Sequence, residues 1–239
     1  KDDYVTIIAA DHPFVIPDFL ELLVKHAKGF DIVCPLSPNE LIDPFLSVYR
    51  KTYLISAVKM LLALNRFKSS NLIRGGRFIY LMGTEEIASV DPRFKSLINI
   101  NKPEDLWNSQ HLKLKGKHRK SLTIRRRFSI KYLENIRTLY WNSHSDSVLG
   151  KLRNFKHPFW KSQILYKIGV ETQNQQLLRI SYNLFLKEAE YYERRNLPFL
   201  QLQSLIDAVH TADALRSCLD GDIIHKVSSL RSLLGISSK

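Results

Sequence analysis

Cysteine is nearly missing from this sequence: 239 residues carry two, Cys34 and Cys218. A disulfide scaffold is therefore excluded, and a reducing, cytoplasmic setting is expected. Long apolar runs are missing too. None approaches the ~18 residues of a membrane helix, so no membrane span is expected. No signal-peptide pattern opens the chain. Acidic residues are scarce, 23 against 36 basic ones, which leaves a net charge of +13. What is present is ordinary for a globular protein: 44% of residues are hydrophobic and 25% charged. That composition argues against disorder and against a fibrous repeat. The length suffices for one large domain or two small ones.

The charge is concentrated. Residues 1–108 hold 13 basic and 13 acidic side chains, residues 109–161 hold 14 and 2, and residues 162–239 hold 9 and 8. A neutral start, a strongly basic middle and a near-neutral end argue for two modules. A polyanion-facing seam or linker would lie between them.

The first module, residues 1–108, reads as α/β. Tyr4–Ala10 is a near-continuous apolar run with β-branched residues, the pattern of a central parallel strand buried on both faces. A helix follows, with Pro17 in its first turn, Phe19, Leu20, Leu23, Val24 and Ala27 on its apolar face, and Gly29 as the stop. Further strands are expected at Phe30–Pro35, Pro44–Tyr49, Ile87–Val90 and Leu97–Ile100, and helices over 51–64 and from Pro103. Arg74-Gly75-Gly76-Arg77 reads equally as a break or a helix start. Alternating strands and helices imply right-handed crossovers and a doubly wound sheet, which binds ligands at the carboxyl ends of its strands. Asp11 and Asn101 each follow an expected strand, so both should face one crevice.

Residues 109–128 read as a basic linker and residues 129–239 as an all-α helical domain. Apolar residues recur at helical spacing around Ile130–Tyr140, Phe159–Ile168, Leu178–Tyr192, Leu202–Leu215 and Ile223–Leu234. Asn196-Leu197-Pro198 looks like the turn of a helical hairpin within a bundle.

Two motifs carry chemistry. Ala10-Asp11-His12-Pro13-Phe14 is followed much later by Asn99-Ile100-Asn101-Lys102-Pro103-Glu104-Asp105-Leu106. Taken singly, an Asp after a strand reads as a turn or N-cap residue, and Asn99 and Asn101 as loop formers. Together and in this order they resemble the MobA-like nucleotidyltransferases, above all the molybdenum cofactor guanylyltransferases. Those proteins run strand, Asp-x-Pro, helix, and finally Asn-x-Asn-x-Pro-Glu-Asp/Glu-Leu. Pro44-Phe45-Leu46-Ser47-Val48-Tyr49-Arg50 is similar to their Pro-Leu-x-Ala-Leu-Tyr segment. The resemblance covers residues 4–107 and stops short of the helical part.

The resemblance implies the C-terminal part of a doubly wound, nucleotide-diphospho-sugar-transferase-like domain. It implies transfer of GMP from GTP to the phosphate of molybdopterin, with pyrophosphate leaving. It also implies that Asp11 holds Mg²⁺ and that Asn101 is similarly placed, making these two the candidate catalytic and metal residues. Such a step joins two anions and expels a third, and a hard cation that takes one or two protein oxygens suits it. Asn99, Arg50 and Arg74 are candidate contacts to the nucleotide, and Arg77 could touch phosphate in the same way. A solvated surface role is equally open to each arginine. His12 reads as a variable loop residue.

The sequence departs from the family at one place. No glycine-rich loop of the Leu-Ala-Gly-Gly-x-Ser-x-Arg-Met-Gly kind precedes the Asp-x-Pro strand, and Gly75-Gly76, the only glycine pair, comes far too late. Such loops cradle a triphosphate with backbone amides. With Lys1 in place of a Met, this reads as a truncated product, a fragment, or half of a split enzyme that needs a separate N-terminal half. Negligible transfer by this chain alone is expected.

Lys113, Lys115, Lys117, Arg119, Lys120, Arg125, Arg126 and Arg127 form a basic block, with His111 and His118 interleaved and Phe128, Tyr132, Tyr140 and Trp141 following. It is open to a nucleic acid, to a pterin phosphate or nucleotide, or to water alone as a solvated linker. The alternative function is a degenerate transferase acting as a basic helical binding module for nucleic acid or a protein partner. The scattered histidines suggest no zinc site.

Overall fold

The computed structural model describes residues 3–108, 114, 118–142, 145–216 and 221–236. Cys218, His111 and Lys113, Lys115 and Lys117 of the basic block lie outside the described residues. The chain is α/β, with a mixed five-stranded sheet and eleven α-helices among the described residues. Two compact units emerge. One comprises Lys1–Ile55 and Gly76–Arg126, the other Ser56–Gly75 and Arg127–Lys239.

The first unit is built on strands β1 (Tyr4–Ile8), β2 (Ile32–Pro35), β3 (Leu46–Arg50), β4 (Phe78–Met82) and β5 (Leu122–Arg125), in the order β1-β3-β2-β4-β5. Only β2 and β4 pair in parallel; β1 with β3, β2 with β3, and β4 with β5 are antiparallel. The sheet is thus mixed rather than the parallel, doubly wound one the sequence suggested. β1 is an edge strand, not a central one, and its side chains are half-buried up to an exposed Ile8. An apolar β-branched run reads alike at both places, because periodicity reports the side chains and not the number of neighbouring strands.

Helix α1 (Pro17–Lys25) starts on a proline, carries Asp18 in its first turn and Lys25 in its last, and so agrees with the helix dipole at both ends. Its Phe19 and Leu23, together with Ala27, pack against Val33, Leu46, Val48 and Met82 of the sheet. Phe19 and Leu23 have no exposed surface.

Two expected strands are absent. Ile87–Val90 begins as the end of helix α4 (Thr84–Ile87), whose Glu85 and Glu86 favour a helix N-terminus. Leu97–Ile100 follows a 3-10 turn at Lys95–Leu97 that Asp91 caps from both carboxylate oxygens. Strand β4 was not anticipated, and β5 lies inside the segment read as a linker. Helix α5 (Pro103–Asn108) starts where expected.

Helix α2 (Lys51–Ala63) runs from the first unit into the second, which continues with α3 (Ser70–Arg74). Helices α6 (Ile130–Trp141), α7 (Ser145–Arg153), α8 (Pro158–Glu171), α9 (Gln175–Glu193), α10 (Pro198–Leu215) and α11 (Gly221–Leu233) complete it. Between α9 and α10, Asn196 adopts a left-handed φ of 54°. Leu197 N–H then bonds to Tyr192 O and Asn196 N–H to Glu193 O, a Schellman stop before Pro198 restarts the chain as helix.

The undecided Arg74-Gly75-Gly76-Arg77 segment is resolved as a break between α3 and β4. A Cβ on Gly75 would lie 2.5 Å from the Trp160 ring, whose Nε1 donates to Gly75 O at 2.9 Å. A Cβ on Gly76 would lie 2.7 Å from Ile32 and 2.8 Å from Ile79. Close packing therefore accounts for both glycines.

Candidate active site at the carboxyl edge of the sheet

β1, β2 and β4 all run in one direction, as β1 and β2 are each antiparallel to β3 and β4 is parallel to β2. The chain leaves β1 and enters β3 at the same edge. Ala9 N–H bonds to Phe45 O at 2.7 Å there, and Ile100 N–H bonds to Asp11 O at 2.8 Å. These backbone ties bring together residues 11–12, 43–45 and 99–101, far apart in sequence.

Four side chains form the site. Asn99 Nδ2 donates to Asp11 Oδ2 at 2.8 Å. His12 Nε2 lies 2.8 Å from Asp43 Oδ2 and 3.9 Å from Asp11 Oδ1. Asp43 is itself anchored, because its Oδ1 accepts from Phe45 N–H at 2.7 Å. Two buried polar atoms of this group, Asp11 Oδ1 and Asn99 Oδ1, have no hydrogen-bond partner among the described residues. Buried polar atoms are rarely left so, and a cluster of them marks a place where something polar binds.

Protonation follows from the geometry. Burial by itself favours neutral imidazole, but the hydrogen bond to Asp43 and the charges of Asp43 and Asp11 outweigh it and raise the His12 pKa. Burial likewise favours a neutral Asp43, yet the bonds from His12 and Phe45 N–H win and lower its pKa. The pair is an imidazolium beside a carboxylate between about pH 4 and 6.5.

Asp11 and Asn99 meet as two members of the sequence-derived set. Asn101 is exposed, and its backbone N–H, like that of Lys102, bonds to Asp105 Oδ2 at 3.0 Å at the start of α5. Arg50 lies at the other end of β3, opposite Tyr4, where its Nη2 donates to Tyr4 Oη and its Nε to Phe30 O. Arg77 is at that far edge too, in a two-pronged pair with the fully buried Asp31. Arg74 belongs to the second unit, where Glu188 and Asp207 take its guanidinium at 2.6 Å each. These arginines are committed to internal partners. His12, read from sequence as a variable loop residue, is instead buried and hydrogen-bonded. Asp43 was not singled out; its position just before Pro44 and β3 was the available signal.

A Mg²⁺ ion takes oxygen ligands and accepts only one or two from protein. Asp11 Oδ1 and Asn99 Oδ1 are oxygens of that kind, both without a partner among the described residues, so the residues present fit such an ion. Among the described residues no group of three or more His, Cys, Asp or Glu side chains is arranged to hold a metal by itself. In the basic block, Arg119 pairs with Glu40 at 2.8 Å and Arg126 donates to Gly76 O, so two of its cations have structural partners. No helix among the described residues is long and apolar enough to cross a membrane.

Fold and site define an α/β protein with a carboxylate–amide pair and an imidazolium at the carboxyl edge of a mixed sheet. Part of this chain is similar to proteins described as probable molybdenum cofactor guanylyltransferases. It is 33% identical over 104 residues to a probable molybdenum cofactor guanylyltransferase of Methanosarcina mazei, covering 43% of this chain and 45% of that protein. A protein of the same description from Methanosarcina acetivorans is 25% identical over 107 residues, covering 44% of this chain and 47% of that protein. The chain thus spans under half the length of the curated relatives it matches. No family model and no solved structure matches it.

Proposed function

We propose that the first unit is the acceptor-side part of a Mg²⁺-dependent nucleotidyltransferase, moving GMP from GTP to the phosphate of molybdopterin. The observation that carries this reading is the Asp11–Asn99 pair, whose two unpartnered oxygens sit together at the strand ends. In the reaction an acceptor phosphate oxygen attacks the α-phosphorus of GTP, and the bond to pyrophosphate breaks. Asp11 and Asn99 would hold the metal ion. When bound, Mg²⁺ would offset the repulsion between the reacting anions. Asn99 holds the Asp11 carboxylate in one orientation through its Nδ2 hydrogen bond. His12, held by Asp43, places its charge beside Asp11, on the side where the phosphates would meet.

These 239 residues contain no glycine-rich triphosphate loop, so GTP turnover by this chain alone should be negligible. The deciding test is Asp11→Ala in an enzyme completed with such a loop. Mg²⁺-dependent GMP transfer should fall at least ~100-fold, as expected for loss of a group acting on the reacting phosphates. Transfer that survives unchanged would overturn the assignment of Asp11.

A further inference from the structure

The second unit holds a cavity that the proposed transfer reaction does not use. It measures about 400 Å³ and is lined by Arg66, Phe67, Lys68, Asn71, Asp207 and His210, with Asn65 at its margin. That size lies at the small end of the ~300–1,000 Å³ typical of small-molecule sites.

The turn between α2 and α3 builds its rim. Asn65 takes a left-handed φ of 55°, Arg66 N–H bonds to Leu61 O, and Asn65 N–H bonds to Leu62 O. This Schellman stop turns the chain sharply and presents Arg66, Phe67 and Lys68 in succession. The Arg66 guanidinium stacks 4.4 Å from the centre of the Tyr166 ring, and its buried Nη2 has no hydrogen-bond partner among the described residues. A guanidinium held in place by an aromatic face, with a donor left over, is preorganised for an oxyanion. Asn71 Oδ1 already accepts from Arg74, so the amide group left to Asn71 is its donor, Nδ2. Phe67 is 75% exposed, more than any other large apolar side chain among the described residues.

Charge points the same way. Asp207 is the one acidic group of the lining, and its Oδ2 is occupied by Arg74 Nη1 at 2.6 Å and Gln163 Nε2 at 2.8 Å. Arg74 with Glu188 and Asp207 leaves one surplus negative charge, and Arg66, Lys68 and Arg231 outnumber it. The Lys68 pKa is lowered, first by partial burial; the attraction of Asp207 does not make up for that burial and the nearby charges of Arg74, Arg66 and Arg231. An incoming anion would relieve that crowding.

We propose that this cavity binds a phosphate-terminated small molecule carrying a planar ring, of the nucleoside diphosphate class. Arg66, Lys68 and Asn71 take the phosphates, and the ring lies on Phe67. A spare guanidinium donor of Arg66, the Lys68 ammonium and an amide donor at the start of α3 match two adjacent phosphates, while a merely solvated basic face would explain neither the exposed phenylalanine nor the unpartnered guanidinium nitrogen.

Isothermal titration of the full chain with inorganic pyrophosphate and with ADP tests this. Both should bind, and Lys68→Gln and Arg66→Gln should each weaken pyrophosphate at least about tenfold, the scale of losing a charge-assisted hydrogen bond. Lys68 is an exposed residue, so Lys68→Gln remains a clean probe should Arg66→Gln unsettle Tyr166. Phe67→Ala should leave pyrophosphate unchanged and weaken ADP about fivefold, as for loss of one stacking face. Asp11→Ala should change neither, which separates this site from the edge of the sheet. Failure of pyrophosphate to bind, or affinity unaltered by Lys68→Gln and Arg66→Gln, would overturn the proposal, the latter placing the anion on the 113–127 block. ADP binding unaffected by Phe67→Ala would overturn the role of the ring.

Discussion

His12 and Asp43 hold the candidate site across 31 residues of sequence, and their charges make that hold depend on pH. The raised His12 pKa means that its contribution is complete below the ordinary 6.5 and is lost as pH rises through the raised value. The lowered Asp43 pKa means that its contribution is complete above the ordinary 3.8 and is lost as pH falls through the lowered value. The pair therefore stabilises the loop most between about pH 4 and 6.5. In an NMR titration His12 should show a midpoint above 6.5, moving downward in Asp43→Asn as burial is left opposed mainly by Asp11. The substitution should cost about 1–2 kcal/mol near pH 5.5, measured by urea unfolding, with the partial exposure of Asp43 already discounted. A midpoint that does not move would show that Asp43 is not what keeps the imidazole charged. Asp11 and Asn99 could be read from sequence because motif order carries them. The His12–Asp43 contact could not, since no local pattern links a histidine after one strand to an aspartate before another.

Among the elements, β1 has the sequence of a buried strand and the position of an edge. Native-state hydrogen exchange should find β1 amides exchanging faster than those of β2, which has neighbours on both sides. Equal protection of the two strands would mean that the free side of β1 is covered in solution. The helices were legible because a 3.6-residue apolar period over a dozen or more positions is hard to mistake, as in α9 and α10. The short strands were not. Ile87–Val90 and Leu97–Ile100 are apolar runs of four that suit a helix end or a turn as well as a strand; the acidic first turn of α4, with Glu85 and Glu86, and the Asp91 cap decide against the strand. β5 was hidden by its charge, for of its four residues only Ile124 is buried. An edge strand carrying arginine is common, because charge there discourages pairing with other chains.

Across the whole molecule the chain passes between its two units three times, at 55/56, 75/76 and 126/127. A fragment of residues 1–108 would lack β5 and would strand α3 without its helical partners. Arg74, 1% exposed, would lose both carboxylates, and unpairing a buried charge costs about 3–5 kcal/mol. We expect that fragment to be unfolded or aggregated by circular dichroism and gel filtration, whereas the full chain folds. A well-folded monomeric 1–108 would mean that the sheet does not need β5 and that α2 and α3 can do without the second unit.

Arg74 also sets a timetable for synthesis. Its partner Asp207 lies 133 residues further along, so at ~5–20 residues per second the ribosome delivers it roughly 7–27 s after Arg74 itself. Glu188 arrives first, 114 residues after Arg74, so for most of that interval the guanidinium of α3 has neither of its carboxylates. A nascent chain of this design must therefore stay open at its middle until its end appears, and its folding is finished by the last helices to be translated.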